Sequence, residues 1–174
     1  LYNTLAIAVL SAIIATVIGT AAAIGIHEMK RVKKAIVMNL TYLPVINPDI
    51  VTGVSLMLLF VFTKPFTGMG LGFFTMLLAH ITFNIPYVIL SVLPKLKQLN
   101  KHVYEAALDL GATPSYALWK VVIPEIMPGI ITGLILAFTL SIDDFVISFF
   151  TTGSGVSNLS IYVYSMARRG VNPK

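Results

Sequence analysis

Two adjacent carboxylates, Asp143 and Asp144, lie inside a long apolar run. If that run crosses a membrane, an ionised Asp at its centre costs at least about 2.5 kcal/mol. The pair should therefore lie near the outer end of the run, face a wet cavity or be partly protonated. In an ideal helix, two consecutive side chains cannot both point at one ligand. We expect one aspartate to face a pathway and the other to cap a helix or pair with a neighbouring helix.

Other polar residues interrupt apolar runs, and Ser141, Asp49 and Asn84 complete the candidate substrate-pathway set. Asp49 suits the N-cap of a helix that resumes at Ile50, a role that we favour over lining a pathway. His80 and Asn84 are four residues apart and share one helix face. Polar side chains in membrane helices face protein or a cavity, so we expect interhelical hydrogen bonds first and pathway lining second.

The segment from Glu105 to Pro124 is a polar, mildly basic island between apolar runs. Helical spacing of its first apolar residues, followed by Gly111, predicts a short helix with a left-handed stop. Thr113 is a good N-cap and Pro114 suits a first helical position, so a second short helix should follow at once and end at Pro124. Neither helix is long enough to be stable alone in water, so this segment is predicted to dock on a partner.

The composition predicts a membrane protein. The 174 residues are 57% hydrophobic and 11% charged, with a mean hydropathy of +0.89, far from the range of soluble domains. The net charge of +5 is dispersed over loops without an aromatic stacking platform, so nucleic-acid binding is not expected. Because the sequence has no Cys, it offers no disulfide framework, Cys nucleophile or Cys-based metal site, and we predict no metal centre.

Four apolar runs are long enough for a helix to cross a bilayer core of about 30 Å. The runs cover about 4–26, 35–63, 73–93 and 127–150. They predict an all-α integral membrane protein with a single domain over 1–174. Pro44 and Pro48 should bend or break the second span. A stripe of small residues in the first span, and Gly129 with Gly133 in the fourth, predict close helix contacts, although the first stripe could instead face lipid.

Basic residues concentrate in two of the connecting segments. Of the 12 Lys and Arg residues, four lie in 27–34 and four in 95–125. Cytoplasmic loops are enriched in Lys and Arg, so both segments are assigned to the cytoplasm, and the second contains the predicted docking element. Leu1 would then lie outside, which suggests a preceding span that this sequence lacks.

The docking element resembles the EAA loop of ABC-importer permeases. That signature is Glu-Ala-Ala, three residues, Gly, nine residues, Ile, one residue and Leu-Pro. The residues that match it outright are Glu105, Ala106, Ala107, Gly111 and Pro124. Val121 and Ile123 replace the usual Ile and Leu conservatively. The resemblance extends along the chain and is closest to the polyamine (spermidine/putrescine) type, whose segments recur almost unchanged at 47–51 and 138–144.

The resemblance implies the type I ABC-importer permease fold in a bacterial inner membrane, with six spans of which this sequence matches the second to fifth. Glu105 would dock on an ATP-hydrolysing subunit, and Gly111 would shape the turn. The implied partners are a dimer of ATP-binding subunits, a second related permease, an extracytoplasmic substrate-binding protein and membrane lipid. Mg-ATP would bind the partner subunit, and this chain would bind no cofactor. The chain would be a transport subunit that works by alternating access, and not an enzyme. The sequence has no GxxxxGK[ST] phosphate loop.

Three alternatives remain. Permeases for iron, thiamine and other solutes share the loop and much of the span pattern. An ion-coupled secondary transporter, whose aspartates would bind the coupling ion, leaves the EAA pattern unexplained. A membrane-embedded aspartyl protease would need Asp49 and Asp143 to share a proton at close range, and their predicted depths and the lack of a protease motif argue against it.

Overall fold

The computed structural model describes residues 2–68, 70–153 and 158–169, and these residues form helices joined by short connections, with no strand among them. The helices are α1 Tyr2–Glu28, α2 Arg31–Ile46, α3 Asp49–Thr67, α4 Phe73–Gln98, α5 Lys101–Asp109, α6 Pro114–Ala117, α7 Ile123–Asp143, α8 Val146–Thr151 and α9 Leu159–Arg169. A π-helical turn, Leu118–Val122, joins α6 to α7. Four helical stretches are long and apolar enough to cross a membrane, which confirms the predicted number of spans.

The core is a bundle of α1, α4 and α7, each packed against the other two. The small-residue stripe of α1 faces this core, as predicted, and does not face lipid. Its members, all buried, are Ala8, Ala12, Ala15, Gly19 and Ala23. At Gly19 a Cβ atom would lie only 2.7 Å from Cβ of Val88 in α4, so the contact requires glycine.

The glycine pair of α7 makes the second close contact of the bundle. A Cβ at Gly129 would lie 3.0 Å from the carbonyl oxygen of Ser91, and a Cβ at Gly133 would lie 3.3 Å from Cα of Val88. Both glycines are buried against α4. The predicted glycine contact face is therefore confirmed, and it fixes the middle of α7 on α4.

The second predicted span is divided into two helices. Pro44 remains inside α2, and the chain breaks at Asn47 and Pro48 before α3 begins. Asp49 is the first residue of α3 and its side chain makes no capping hydrogen bond, so the predicted N-cap is wrong. Pro48 precedes the helix, and its extended ψ of 137° already turns the chain into α3 without a side-chain cap.

The fourth predicted span differs at both ends. The helix does not stop at Pro124: one continuous helical stretch, here called the long helix, runs from Pro114 to Asp143. In the π-turn the amide of Ile123 bonds the carbonyl of Leu118, five residues back. Pro124 follows this change of pattern, so the amide that it lacks falls in the first turn of α7, where helices tolerate proline. The helix also ends at Asp143 rather than continuing to Phe150.

Candidate functional site

Asp144 lies between α7 and α8, directly after the last residue of α7. Its backbone amide still bonds the carbonyl of Leu140, but its ψ of 119° takes the chain out of the helix. Its carboxylate then accepts hydrogen bonds from the amides of Ile147, at 3.2 Å, and Ser148, at 2.8 Å. These amides would otherwise lack partners in the first turn of α8. Because an aspartate can satisfy amides in this way, it favours a break over a continuous helix.

A buried polar cluster surrounds this break on the α7 side. Ser141, in the last turn of α7, is its centre, because three side chains meet at its hydroxyl. Asn84 donates to Ser141 Oγ at 2.8 Å, Ser11 Oγ lies 2.9 Å away, and His80 Nδ1 lies 3.2 Å away. All four side chains are buried. The predicted interhelical hydrogen bonds of His80 and Asn84 are thus confirmed, and they join α1, α4 and α7.

The cluster continues on the α8 side of the break. His80 Nε2 lies 3.0 Å from Ser148 Oγ, and the same hydroxyl accepts a hydrogen bond of 2.9 Å from Asn158. Thr4 donates to Asn158 Oδ1 at 2.8 Å and accepts from the amide of Leu159 at 2.9 Å. The cluster therefore also ties the starts of α1 and α9 to the break.

The five predicted pathway residues fall into two groups. Ser141, Asn84 and Asp144 come together in or beside the buried cluster, and the Asp144 side chain is only 7% exposed. Asp143 and Asp49 are exposed. Asp143 makes no hydrogen bond or ion pair with any residue that the structure describes, so its carboxylate is available to a ligand.

Asp49 lies one helical turn before the point at which α3 crosses α8. A Cβ at Gly53 would lie 3.0 Å from the ring of Phe150 and 3.6 Å from Cα of Ile147. α3 packs chiefly on α8 and is otherwise largely exposed. Within residues 2–68, 70–153 and 158–169, no three His, Asp or Glu side chains are arranged to hold a metal ion.

At the other end of the long helix, the predicted two-helix turn is confirmed. Two residues after the end of α5, Gly111 has a φ of 88°, in the left-handed region. The amide of Gly111 bonds the carbonyl of Leu108, and the amide of Ala112 bonds the carbonyl of Ala107. This pair of bonds is a Schellman motif, which satisfies the last carbonyls of α5. Nothing lies within 4 Å of a Cβ placed at Gly111, so the requirement for glycine is conformational and not steric.

The second helix of the turn starts as predicted. Thr113 is the N-cap of α6, and its side-chain oxygen accepts a hydrogen bond of 3.3 Å from the amide of Tyr116. Pro114 occupies the first turn. Since α6 passes directly into the π-turn and α7, the helix that begins after the turn at Gly111 is the long helix itself.

The surface of this loop is apolar and exposed. Leu110 is 89% exposed, Trp119 67% and Tyr116 59%. An open depression of about 520 Å³ lies beside them. The residues that line it are Ala107, Leu110, Gly111, Ala112, Thr113 and Tyr116. Large apolar side chains exposed together mark a site of interaction.

The charged and terminal residues of the predicted docking set are exposed as well. Glu105 lies on α5, its side chain 64% exposed, and its Oε2 is 3.3 Å from Nδ1 of His102 one turn earlier. Ala106 and Pro124 are also exposed, while Ala107 is half-buried against the turn. Glu105 is therefore accessible to a basic group of a partner.

Three features of the site escaped the sequence interpretation. The π-turn has no signature in the residues that form it. Ser11 and Ser148 were not selected because single serines are common in membrane helices, although Ser148 follows Ser141 by seven residues, the spacing of one helix face. Asn158 lies in a polar segment, where nothing distinguishes it from a surface residue.

The bundle, the broken fourth span and the exposed apolar loop define a multi-span membrane protein. The family described as "Binding-protein-dependent transport system inner membrane component" matches residues 15–168, and the chain belongs to this family. It is therefore a multi-pass protein of the bacterial inner membrane with the type I ABC permease fold.

Its relatives are polyamine permeases. Spermidine/putrescine transport system permease protein PotC of Escherichia coli (strain K12) is 38% identical over 172 residues, 99% of this chain and 64% of that protein. Putrescine transport system permease protein PotI of the same strain is 41% identical over 174 residues, covering 98% and 62%. PotC of Haemophilus influenzae is 35% identical over 172 residues, covering 99% and 65%. The chain thus spans less than two thirds of the length of these relatives.

Proposed function

We propose that this chain is the transmembrane core of a permease subunit in an ATP-driven importer of spermidine or putrescine. The observation that carries the proposal is that one helix joins an EAA-type docking loop to an acidic break, in a chain 38% and 41% identical to permeases named for those substrates. The chain itself supplies no ATP hydrolysis.

The loop docks on an ATP-binding subunit. Leu110, Tyr116 and Trp119 present apolar surface that a protein partner would remove from water, at about 25 cal/mol per Å² buried. Glu105 adds a carboxylate that can pair with a basic residue there. Its contact with His102 is between two exposed groups and is easily exchanged for a partner.

The long helix transmits movement from this loop to the pathway. Its 30 residues extend about 45 Å, enough to cross the membrane and its surface layers. When ATP binding draws two ATP-binding subunits together, each loop moves and the long helix tilts with it. The pathway formed with a second related permease then opens alternately to each side.

Asp143 recognises the cationic substrate. Spermidine and putrescine carry protonated amines. An exposed carboxylate that has no partner among the described residues complements them at the point where a binding protein would release them. Asp144 cannot take this role without giving up the amides of Ile147 and Ser148. Ser141 and Asn84 support the wall from within the buried cluster, and Asp49 adds a second exposed carboxylate at the start of α3.

Uptake of radiolabelled spermidine and putrescine by cells that carry the full-length gene and its neighbouring genes tests the proposal. Glu105→Arg should abolish uptake and weaken pull-down of the ATP-binding subunit, while the amount of permease in the membrane stays the same. Asp109→Arg is the matched control: it makes the same charge change on the same helix, at a position that the EAA signature leaves unspecified, and should retain most of the uptake.

Each outcome has a distinct meaning. Normal uptake and normal pull-down by Glu105→Arg would refute the docking role. No polyamine uptake in the wild type, together with ATPase activity of the purified complex that depends on Glu105, would keep the ATP-driven importer and exclude the substrate. Asp143→Asn should raise the KM for polyamine without lowering expression, and an unchanged KM would remove the cation role of Asp143.

A further inference from the structure

His80 of α4 bridges the two sides of the break in the fourth span. Its Nδ1 lies 3.2 Å from Oγ of Ser141, in the last turn of α7, and its Nε2 lies 3.0 Å from Oγ of Ser148, in α8. Nε2 is also 3.5 Å from Oδ2 of Asp144, the carboxylate that caps α8. One imidazole ring, 1% exposed, therefore contacts residues before, at and after the break.

Both ring nitrogens of His80 are engaged, one on each side of the break. On the α7 side, Nδ1 faces Ser141 Oγ, which accepts from Asn84 and lies 2.9 Å from Ser11 Oγ, a hydroxyl that also donates to the carbonyl of Ala8. On the α8 side, Nε2 faces Ser148 Oγ, with the capping carboxylate beside it. A serine hydroxyl can donate or accept, so the ring can bond both hydroxyls with its proton on either nitrogen. The bridge therefore depends on the position of the ring and not on one tautomer.

This bridge matters because α8 cannot hold its own direction. It has six residues, too few to be stable as an independent helix. The Asp144 carboxylate accepts from the first amides of α8. Because it lies at the break itself, it does not fix the angle between α7 and α8. Ser148, one turn after Asp144, is held by His80 on one side and Asn158 on the other, and Thr75 of α4 donates to the carbonyl of Thr151 at the end of α8.

We propose that His80 is a positioning residue for transport. Its hydrogen bonds hold α7 and α8 at a fixed angle, so that the exposed carboxylate of Asp143 faces the incoming cation. His80 does not touch the substrate and acts only through the geometry of the break. The inference rests on the proposed function, because it assigns Asp143 to the recognition of a cationic amine.

The test uses the full-length permease in its complete complex, reconstituted in lipid vesicles. His80→Leu removes all three polar contacts of the ring, His80→Gln restores one donor and one acceptor, and Ser148→Ala removes only the contact with α8. Thr82→Val is the matched control, since Thr82 is exposed on the same helix and its hydroxyl bonds only the carbonyl of Leu78. Two quantities are measured: KM and maximal rate of spermidine and putrescine uptake, and the rate at which a membrane-impermeant thiol reagent modifies Asp143→Cys in each background.

His80→Leu and Ser148→Ala should each raise KM by about fivefold or more, the effect of losing one buried hydrogen bond, and should change the thiol reaction rate to a similar degree. His80→Gln should recover part of both, and Thr82→Val should change neither. A loss of folded protein alone would lower the maximal rate of uptake and leave KM and the thiol rate of the remaining complex unchanged.

The positioning role of His80 would be overturned if KM and the thiol reaction rate equal the wild-type values in Ser148→Ala and in the His80 variants that assemble. Failure of the proposed function gives a different result. If Asp143→Asn alone leaves KM unchanged, the cation role fails, while the thiol rate, which does not depend on the substrate, still decides whether His80 positions the break.

Discussion

The two ends of the long helix are built in opposite ways. At the Asp143 end, buried hydroxyl, amide and imidazole groups bond one another across α1, α4, α7 and α8. At the Pro114 end, large apolar side chains are exposed, and α5 and α6 pack chiefly on each other and on the π-turn. The polar groups of the first end bond within this chain, whereas the apolar side chains of the second are left uncovered by the described residues.

The two ends therefore differ in how freely they can rearrange. A buried polar cluster has few alternative arrangements, because each group that loses its partner is costly. An exposed apolar loop has no such constraint and gains stability when a partner covers it. The break is therefore expected to keep its arrangement when the loop moves, as the proposed coupling requires.

The largest effect on stability is expected when the centre of the buried cluster is removed. Ser141→Ala removes one hydrogen-bond partner from each of Asn84, Ser11 and His80 and should lower the free energy of unfolding by about 2 kcal/mol. Thermal unfolding in detergent measures it. Thr139→Ala is the control on the same helix, since its hydroxyl is exposed and bonds only the carbonyl of Ile135; equal melting temperatures for the two variants would contradict a stabilising cluster.

At the loop, the expected effect is on binding of the ATP-binding subunit and not on stability, and it is intermediate in size. Gly111→Val forces a β-branched residue into a φ of 88° and should weaken binding of the ATP-binding subunit by about tenfold, without changing the melting temperature of the spans. Gly111→Asn, which tolerates this conformation better, should bind more tightly than Gly111→Val. Binding is measured by titration of the purified subunit. If both variants bind alike, the shape of the turn does not matter.

The smallest effect on stability is expected for Asp143→Asn, because the carboxylate has no partner among the described residues. Asp144→Asn is the informative neighbour: its amide retains one acceptor oxygen for two backbone amides and should lower the free energy of unfolding by about 1 kcal/mol. Thermal unfolding of the two purified variants makes the comparison. Equal losses would mean that the two aspartates do not have separate roles.

Features set by the local chemistry of a few residues were predictable from the sequence. Features that depend on competition between two possible conformations of the same segment were not. Gly111 tolerates the left-handed region, Thr113 favours an N-cap and Pro114 a first helical turn, so the turn followed from the residues alone. The apolar length of the spans and the spacing of Gly129 and Gly133 likewise gave the bundle contacts. At Asp144 the same residue can continue a helix or cap a new one, and only the position of His80 and Ser148 in three dimensions decides between them.

The course of the chain through Pro124 shows the same limit. Proline normally ends a helix that already contains it, and the sequence interpretation followed that rule. A shift to five-residue hydrogen bonding over Leu118–Val122 places the proline in a first turn instead. No residue in this π-turn is specific to such a shift, so the continuity of the loop with the fourth span became visible only in the structure.

The most direct test of this continuity is a distance measured along the long helix by pulsed electron spin resonance. Spin labels are attached to Ser115→Cys and Thr139→Cys, both exposed, in a chain that has no other Cys and with any cysteine outside this sequence replaced. The 24 intervening steps predict one narrow distance of about 36 Å, unchanged between the nucleotide-free and the ATP-bound complex. A distance that shortens by a helical turn or more on ATP binding would show that the helix bends at the π-turn, and that the loop and the break are not rigidly joined.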